Sequence, residues 1–300
     1  MKYNRDRNQQ IIADRQRLRN PYAHLDANGK LDAVMALDVW ASQNPYASLA
    51  INGVPQPLAS LNSRTNLIDA QALFISTQRR DIEESANRLL RYRWEQHGGK
   101  GVDPILMINV KAAAEALGIS LIEVDPMGLI TTEAGEAEIA ATLDRHQKTI
   151  RISTRPDKRT QNFTAAHELG HWILHRDQIQ YHRDLPVIDS RTRSHSPIER
   201  QANWFAVAFL MPSRLVKRKF RERFGENIPF KLSTDNAVGL TRSSYVQLLR
   251  KTPSIEELAF IMAKAEFFHG DRFISLADEF NVNVSAMAYR LIELKLMKAS

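Results

Sequence analysis

The most specific chemistry in this sequence sits in five residues near its middle, His167-Glu168-Leu169-Gly170-His171. On a helix, positions 167 and 171 are one turn apart, so both imidazoles leave the same face and can share one Zn²⁺. Glu168 then lies beside the metal, placed to take a proton from a bound water. The surrounding pattern predicts that helix. Phe163, Ala166, His167, Gly170, His171 and Leu174 recur at three- and four-residue steps and trace one inward face. The bland reading is a chance match in a core helix, and a third ligand is what separates the two.

Three residues compete for that third position. His175 extends the same stripe, but it is eight residues from His167, about 12 Å further along the axis. Ligand atoms must lie within about 2 Å of one Zn²⁺, so His175 reads as a structural or supporting residue. Asp177 stands where a metzincin-type pattern places its third ligand, but position 174 is Leu where that pattern has the turn-forming Gly. Glu199 is the strongest candidate. It opens a second helix, and its carboxylate would complete a His₂Glu site with a fourth position left for water. Ala202 would let the two helices approach closely. Asn203, one turn beyond Glu199, is placed to accept an N–H from a ligating imidazole.

The elements that must position these residues follow from periodicity and breakers. Helical spacing is expected over Asp81–Gln96, ended by Gly98-Gly99, and over Val110–Leu117, ended by Gly118. A strand follows at Ile119–Val124. Two more, Ala137–Leu143 and Thr149–Ser153, form a hairpin feeding the metal helix. Residues 176–197 are polar and read as a long surface loop. Glu199–Leu210 is the second ligand helix, closed by Met211-Pro212. A basic helix begins at Ser213 and carries Arg214, Lys217, Arg218, Lys219, Arg221 and Arg223. Ser254–Phe268 is expected as one helix. Phe273–Phe280 and Val284–Leu294 make a helix-turn-helix-like unit. Helix, helix, strand, hairpin, metal helix is an α+β order.

The first 78 residues carry no recognisable chemistry. Helices are expected at Gln9–Leu18, in a basic arm, and at Leu31–Trp40, with loop over 44–65. At 300 residues with 43% hydrophobic and 25% charged content, the chain is of ordinary globular composition. With no cysteine, disulfides and Cys-based metal sites are excluded. The longest wholly apolar stretch, Trp204–Met211, is too short to span a bilayer, so no membrane partner is expected. A polar basic start without an apolar region behind it predicts a cytoplasmic protein. The net charge of +7 permits contact with nucleic acid without requiring it.

Phe163-Thr164-x-x-His167-Glu168-Leu169-Gly170-His171-x-x-Leu174-His175, followed by Glu199-x-x-Ala202-Asn203-x-Phe205-Ala206 and Leu210-Met211-Pro212, resembles the ImmA/IrrE family of zinc metallopeptidases. The resemblance covers roughly residues 80–212, and the helix-turn-helix-like tail is similar to the segment that follows the peptidase in that family. It implies an α+β fold with a small gluzincin-like peptidase domain at 79–212, between an N-terminal extension at 1–78 and a helical domain at 213–300. It also implies Zn²⁺ held by His167, His171 and Glu199, with Glu168 as the catalytic base of an endopeptidase. Members cut a helix-turn-helix repressor in the cytoplasm, in mobile elements, stress responses or beside anti-phage systems. There DNA, single strands included, is the implied activator. His195, Tyr181, His182 and the loop arginines stay open as candidates for stabilising the oxyanion. A competing reading, a DNA-binding transcriptional regulator with a structural metal site, rests on the tail and the basic clusters. Against it, Val284–Leu294 offers Arg290 alone as a basic residue.

Overall fold

A computed structural model of the chain describes residues 65–99, 101–132, 135–175, 181–184, 197–241, 245–251 and 253–298, with backbone alone at 65–77, 130–137, 181–184 and 251. The expectations for the basic arm, Leu31–Trp40 and residues 44–64 lie outside them. Helix α1 spans Thr65–Gln96. It begins sixteen residues earlier than the apolar stripe from Asp81 suggested, because no Gly or Pro interrupts the chain between Thr65 and Gln96. A 3₁₀ turn at Pro104–Met107 leads to α2, Val110–Ala116, whose N-cap Asn109 accepts from the Ala112 N–H.

The sheet follows. Strand β1 is Ser120–Val124, and a separate hairpin pairs β2, Leu129–Thr132, with β3, Gly135–Glu138. Strands β4, Ala141–Asp144, and β5, Thr149–Ser153, form the expected antiparallel hairpin. The expected strand Ala137–Leu143 is therefore two pieces in two sheets. Helix α3, Lys158–Leu174, is capped by Asp157, whose carboxylate accepts from the Arg159 and Thr160 N–H groups. Residues 176–197 do not form loop throughout. Tyr181–Asp184 is strand β6, paired antiparallel to β4. The sheet order is β1-β5-β4-β6, with β1 parallel to β5. Central strands β4 and β5 bury Leu143, Ile150 and Ile152 against α3, which sets the metal helix directly on the sheet.

Helix α4, Pro197–Leu210, then crosses α3, and α5, Ser213–Phe224, follows after Met211-Pro212. Beyond it come α6, Thr234–Thr241, α7, Tyr245–Lys251, and α8, Ile255–Lys264, which starts on a Ser254/Glu257 capping box. The expected helix Ser254–Phe268 stops at Lys264. Phe267–Phe268 instead forms β7 against β8, Asp271–Arg272. The two-residue connection, His269 at φ 47° and Gly270 at φ 105°, has the left-handed backbone such tight hairpins need. Helices α9, Leu276–Glu279, and α10, Val284–Glu293, complete the helix-turn-helix-like unit, the first shorter than expected. The fold is α+β.

One apolar cluster joins Ile82 and Leu89 of α1, the sheet, Phe205 and Phe209 of α4, Phe220 of α5, and Met287 and Leu291 of α10. Each such fully buried side chain contributes about 1.5–3 kcal/mol. Among the described residues no helix is long and apolar enough to cross a membrane.

Candidate metal centre

Helix α3 places His167 and His171 one turn apart, and α4 brings Glu199 from its first turn. What allows the helices to meet is the absence of side-chain bulk at their crossing. A Cβ on Gly170 would stand 3.1 Å from the Ala202 carbonyl oxygen and 3.1 Å from Phe205 Cβ. Gly170 and Ala202 thus set how close the Glu199 helix comes to the histidine face.

At that distance three side chains converge. His167 Nε2 and His171 Nε2 are 2.9 Å apart. The Glu199 carboxylate lies 3.2 Å from the first and 3.4 Å from the second. Tetrahedral ligands about 2.0–2.1 Å from a Zn²⁺ are separated by edges of about 3.3 Å, so this triangle is close to the size zinc needs. All three are largely removed from water, with His171 fully buried.

The far side of each ring tells which nitrogens carry protons. His167 Nδ1 is 2.9 Å from Asn203 Oδ1, an acceptor, so Nδ1–H donates and Nε2 keeps its lone pair. His171 Nδ1 is 3.0 Å from His175 Nδ1, and His175 Nε2 is 2.9 Å from Gln201 Oε1. Two neutral imidazoles with lone pairs facing each other across 2.9 Å repel unless a cation lies between them. The donor set therefore fits a divalent metal. Burial would raise the Glu199 carboxyl, but a proton shared by the histidine pair, which does the same work as such a cation, outweighs it and holds the carboxyl far below the usual carboxylate range, so it stays ionised. Burial lowers His175, against the pull of Gln201 and Glu199, which keeps that ring neutral.

Glu168 is fully buried on the same helix, beside His167. Arg145, from the β4–β5 turn, donates to the His171 and Trp172 carbonyls at 2.8 and 3.1 Å and lies over the Trp172 ring. It anchors the last turn of α3, where the carbonyls at the helix end carry partial negative charge.

Residues 114–227 match the family model described as the IrrE N-terminal-like domain, a peptidase family. Over that stretch the chain is similar to IrrE-type peptidase domains. No curated protein matches the chain. The IrrE-like match spans both helices of the cluster and runs to the end of α5.

The residues anticipated for the site have separate fates. His167, His171 and Glu199 come together, Asn203 stands behind the first, and His175 stands behind the second rather than in the cluster. Asp177 and His195 lie outside the described residues, and Tyr181 and His182 fall in β6, of which the backbone alone is described. Gln201 and Arg145 were not anticipated. Neither belongs to a spacing pattern, since each acts through a contact made only after the helices cross or the hairpin folds.

The basic helix α5 of the IrrE-like domain is largely ion-paired. Arg218 and Lys219 reach Asp103 at 3.1 and 3.3 Å, Lys219 reaches Glu279 at 2.9 Å, Arg221 reaches Glu226 at 3.3 Å, and Arg223 pairs with Glu279. In the C-terminal unit, α10 is buried from Ser285 through Leu291. Arg290, 3% exposed, donates to the Met211 carbonyl at 3.0 Å and pairs with Glu293 and Glu83. A helix buried along that length has no face to lay in a DNA groove.

Proposed function

We propose that this chain is a zinc endopeptidase that cuts a helix-turn-helix transcriptional repressor, releasing stress, mobile-element or anti-phage defence genes. The observation that carries the catalytic part is the convergence of two imidazole Nε2 atoms and one ionised carboxylate inside a metallopeptidase domain, with buried Glu168 next to one ligand. His167, His171 and Glu199 would hold the metal, which would supply Lewis-acid chemistry at the scissile carbonyl and make a water acidic enough, with a pKa of about 7, to attack near neutrality. Glu168 takes the proton of the attacking water and passes it to the departing amine. Asn203 and His175 hold the two rings while this happens.

The repressor substrate and DNA as activator rest on the family resemblance, as does a cytoplasmic setting. The competing reading as a DNA-binding regulator is disfavoured by the burial of α10 and the pairing of the α5 cations. The test uses the purified chain with a helix-turn-helix repressor taken from the genes that neighbour its own, with and without added DNA. Glu168→Gln is expected to slow cleavage by at least about 100-fold, the usual worth of a positioned acid–base group. Undiminished cleavage by that variant contradicts the proposal.

A further inference from the structure

Ligand helix α4 gives the cluster more than a carboxylate. Gln201, two residues after Glu199, reaches the far nitrogen of His175, and His175 in turn faces the far nitrogen of His171. His175 is 2% exposed, so bulk water does not replace either partner. With both rings neutral and both bonds made, these contacts allow two proton arrangements and only two. Between the facing Nδ1 atoms of His171 and His175 there is room for one proton at 3.0 Å. If the Gln201 carbonyl oxygen accepts from His175 Nε2–H, then His175 Nδ1 is bare and accepts from His171 Nδ1–H. His171 Nε2 then offers its lone pair to the cluster. If every bond is reversed, His171 Nε2 carries a proton and cannot bind a metal.

We infer that Gln201 and His175 are positioning residues, forming a directional hydrogen-bond relay that holds His171 in its metal-binding tautomer. The inference rests on the reading of His167, His171 and Glu199 as the zinc ligands. In other sites the residue behind a ligating histidine is usually a carboxylate or a backbone carbonyl. Here a neutral imidazole does that work, and a neutral imidazole accepts in one direction only if something fixes its own proton. Gln201 supplies that, and because it sits on the helix that carries Glu199, the relay also ties the third ligand to the orientation of the second. His167 has the simpler arrangement, one amide oxygen from Asn203 on the same helix. Both histidines of α3 are thus set from α4, and a shift of α4 would disturb all three ligands together.

The experiment measures Zn²⁺ affinity by competition with a chromophoric chelator and the tautomer of His175 by ¹⁵N NMR of the zinc-loaded wild-type chain. His175→Phe keeps a ring but removes the acceptor, and Gln201→Met keeps length but removes the carbonyl. Each is expected to weaken Zn²⁺ binding by about 10- to 100-fold. Gln201→Glu retains the acceptor and is expected to bind within a few-fold of wild type. In the NMR spectrum His175 is expected to be protonated at Nε2 and bare at Nδ1, a readout on the native protein that does not depend on any variant folding. A His175 proton on Nδ1, or unchanged affinity in both Phe and Met variants, overturns the relay while leaving the metal site standing. A wild-type chain that takes up no Zn²⁺ overturns the ligand reading itself.

Discussion

At the scale of residues, charge and proton placement decide what the cluster can be. Two imidazole nitrogens and a carboxylate crowd within about the edge of one zinc tetrahedron, and the hydrogen-bond acceptors behind each ring leave lone pairs in front. The same logic governs a second buried group outside the cluster. Arg290 is surrounded by the Met211 carbonyl, Glu293 and Glu83, so its charge is satisfied on three sides. Burial pushes Glu83 up, but Arg290 together with Ser213 outweighs it and holds the carboxyl below its ordinary value of 4.5. A depressed folded-state value means the pair contributes fully above 4.5 and that this contribution is lost as pH falls through the folded value. Glu83→Gln is therefore expected to lower stability near neutrality and to flatten its loss on acidification, measured by urea unfolding between pH 7 and pH 3, both about the range of carboxylate titration. An acid limb as steep as that of wild type would show that Glu83 does not contribute to it.

Among elements, the crossing of α3 and α4 matters most, because the ligands come from both. Replacing Gly170 by Ala has two opposing effects. Removing a helical glycine gains up to about 1 kcal/mol in helix propensity. The added Cβ meets the Ala202 carbonyl, Phe205 Cβ and Ala202 Cα at 3.1 to 3.2 Å, and these are buried atoms of α4 that move only if the helix moves. Overpacking of this kind costs about 1–3 kcal/mol, so it wins. Gly170→Ala is expected to lower unfolding free energy by about 1 kcal/mol net and to weaken metal binding at the same time. Denaturant unfolding and zinc titration on the same sample check both, and a stabilised variant with native affinity would mean the helices have slack there. The close approach was legible in the sequence at Ala202, because a small residue on the second ligand helix leaves room for it, whereas the placing of Gly170 opposite Ala202 appears only once the helices have crossed. The relay through Gln201 was not, because it links positions 26 residues apart and depends on the crossing having formed. Strand β6 escaped notice for another reason. Tyr181-His182-Arg183-Asp184 has no apolar alternation, and its pairing comes from the open edge of β4.

For the whole molecule, the α+β order and the hairpin before the metal helix were readable because breakers and periodicity agree there. The C-terminal helices were harder to interpret. Their turn-linked pattern suggests a DNA-reading unit, yet a helix's outward face is set by what packs on it. Here α10 packs on α8, and Arg290 reaches the carbonyl just after α4. The unit closes the core beside the ligand helix, and Phe230 pairs with Leu296 and Lys298 through backbone hydrogen bonds at 2.8 and 3.0 Å. The proposed chemistry requires that Glu199 and the two histidines form one zinc site, with Glu168 outside it. Zinc content after dialysis, measured by atomic emission on wild type, Glu199→Ala and Glu168→Gln, tests it most directly. About one zinc per chain is expected in wild type and Glu168→Gln, and a loss of most of it in Glu199→Ala. Full zinc retention by Glu199→Ala, at wild-type affinity, would contradict it.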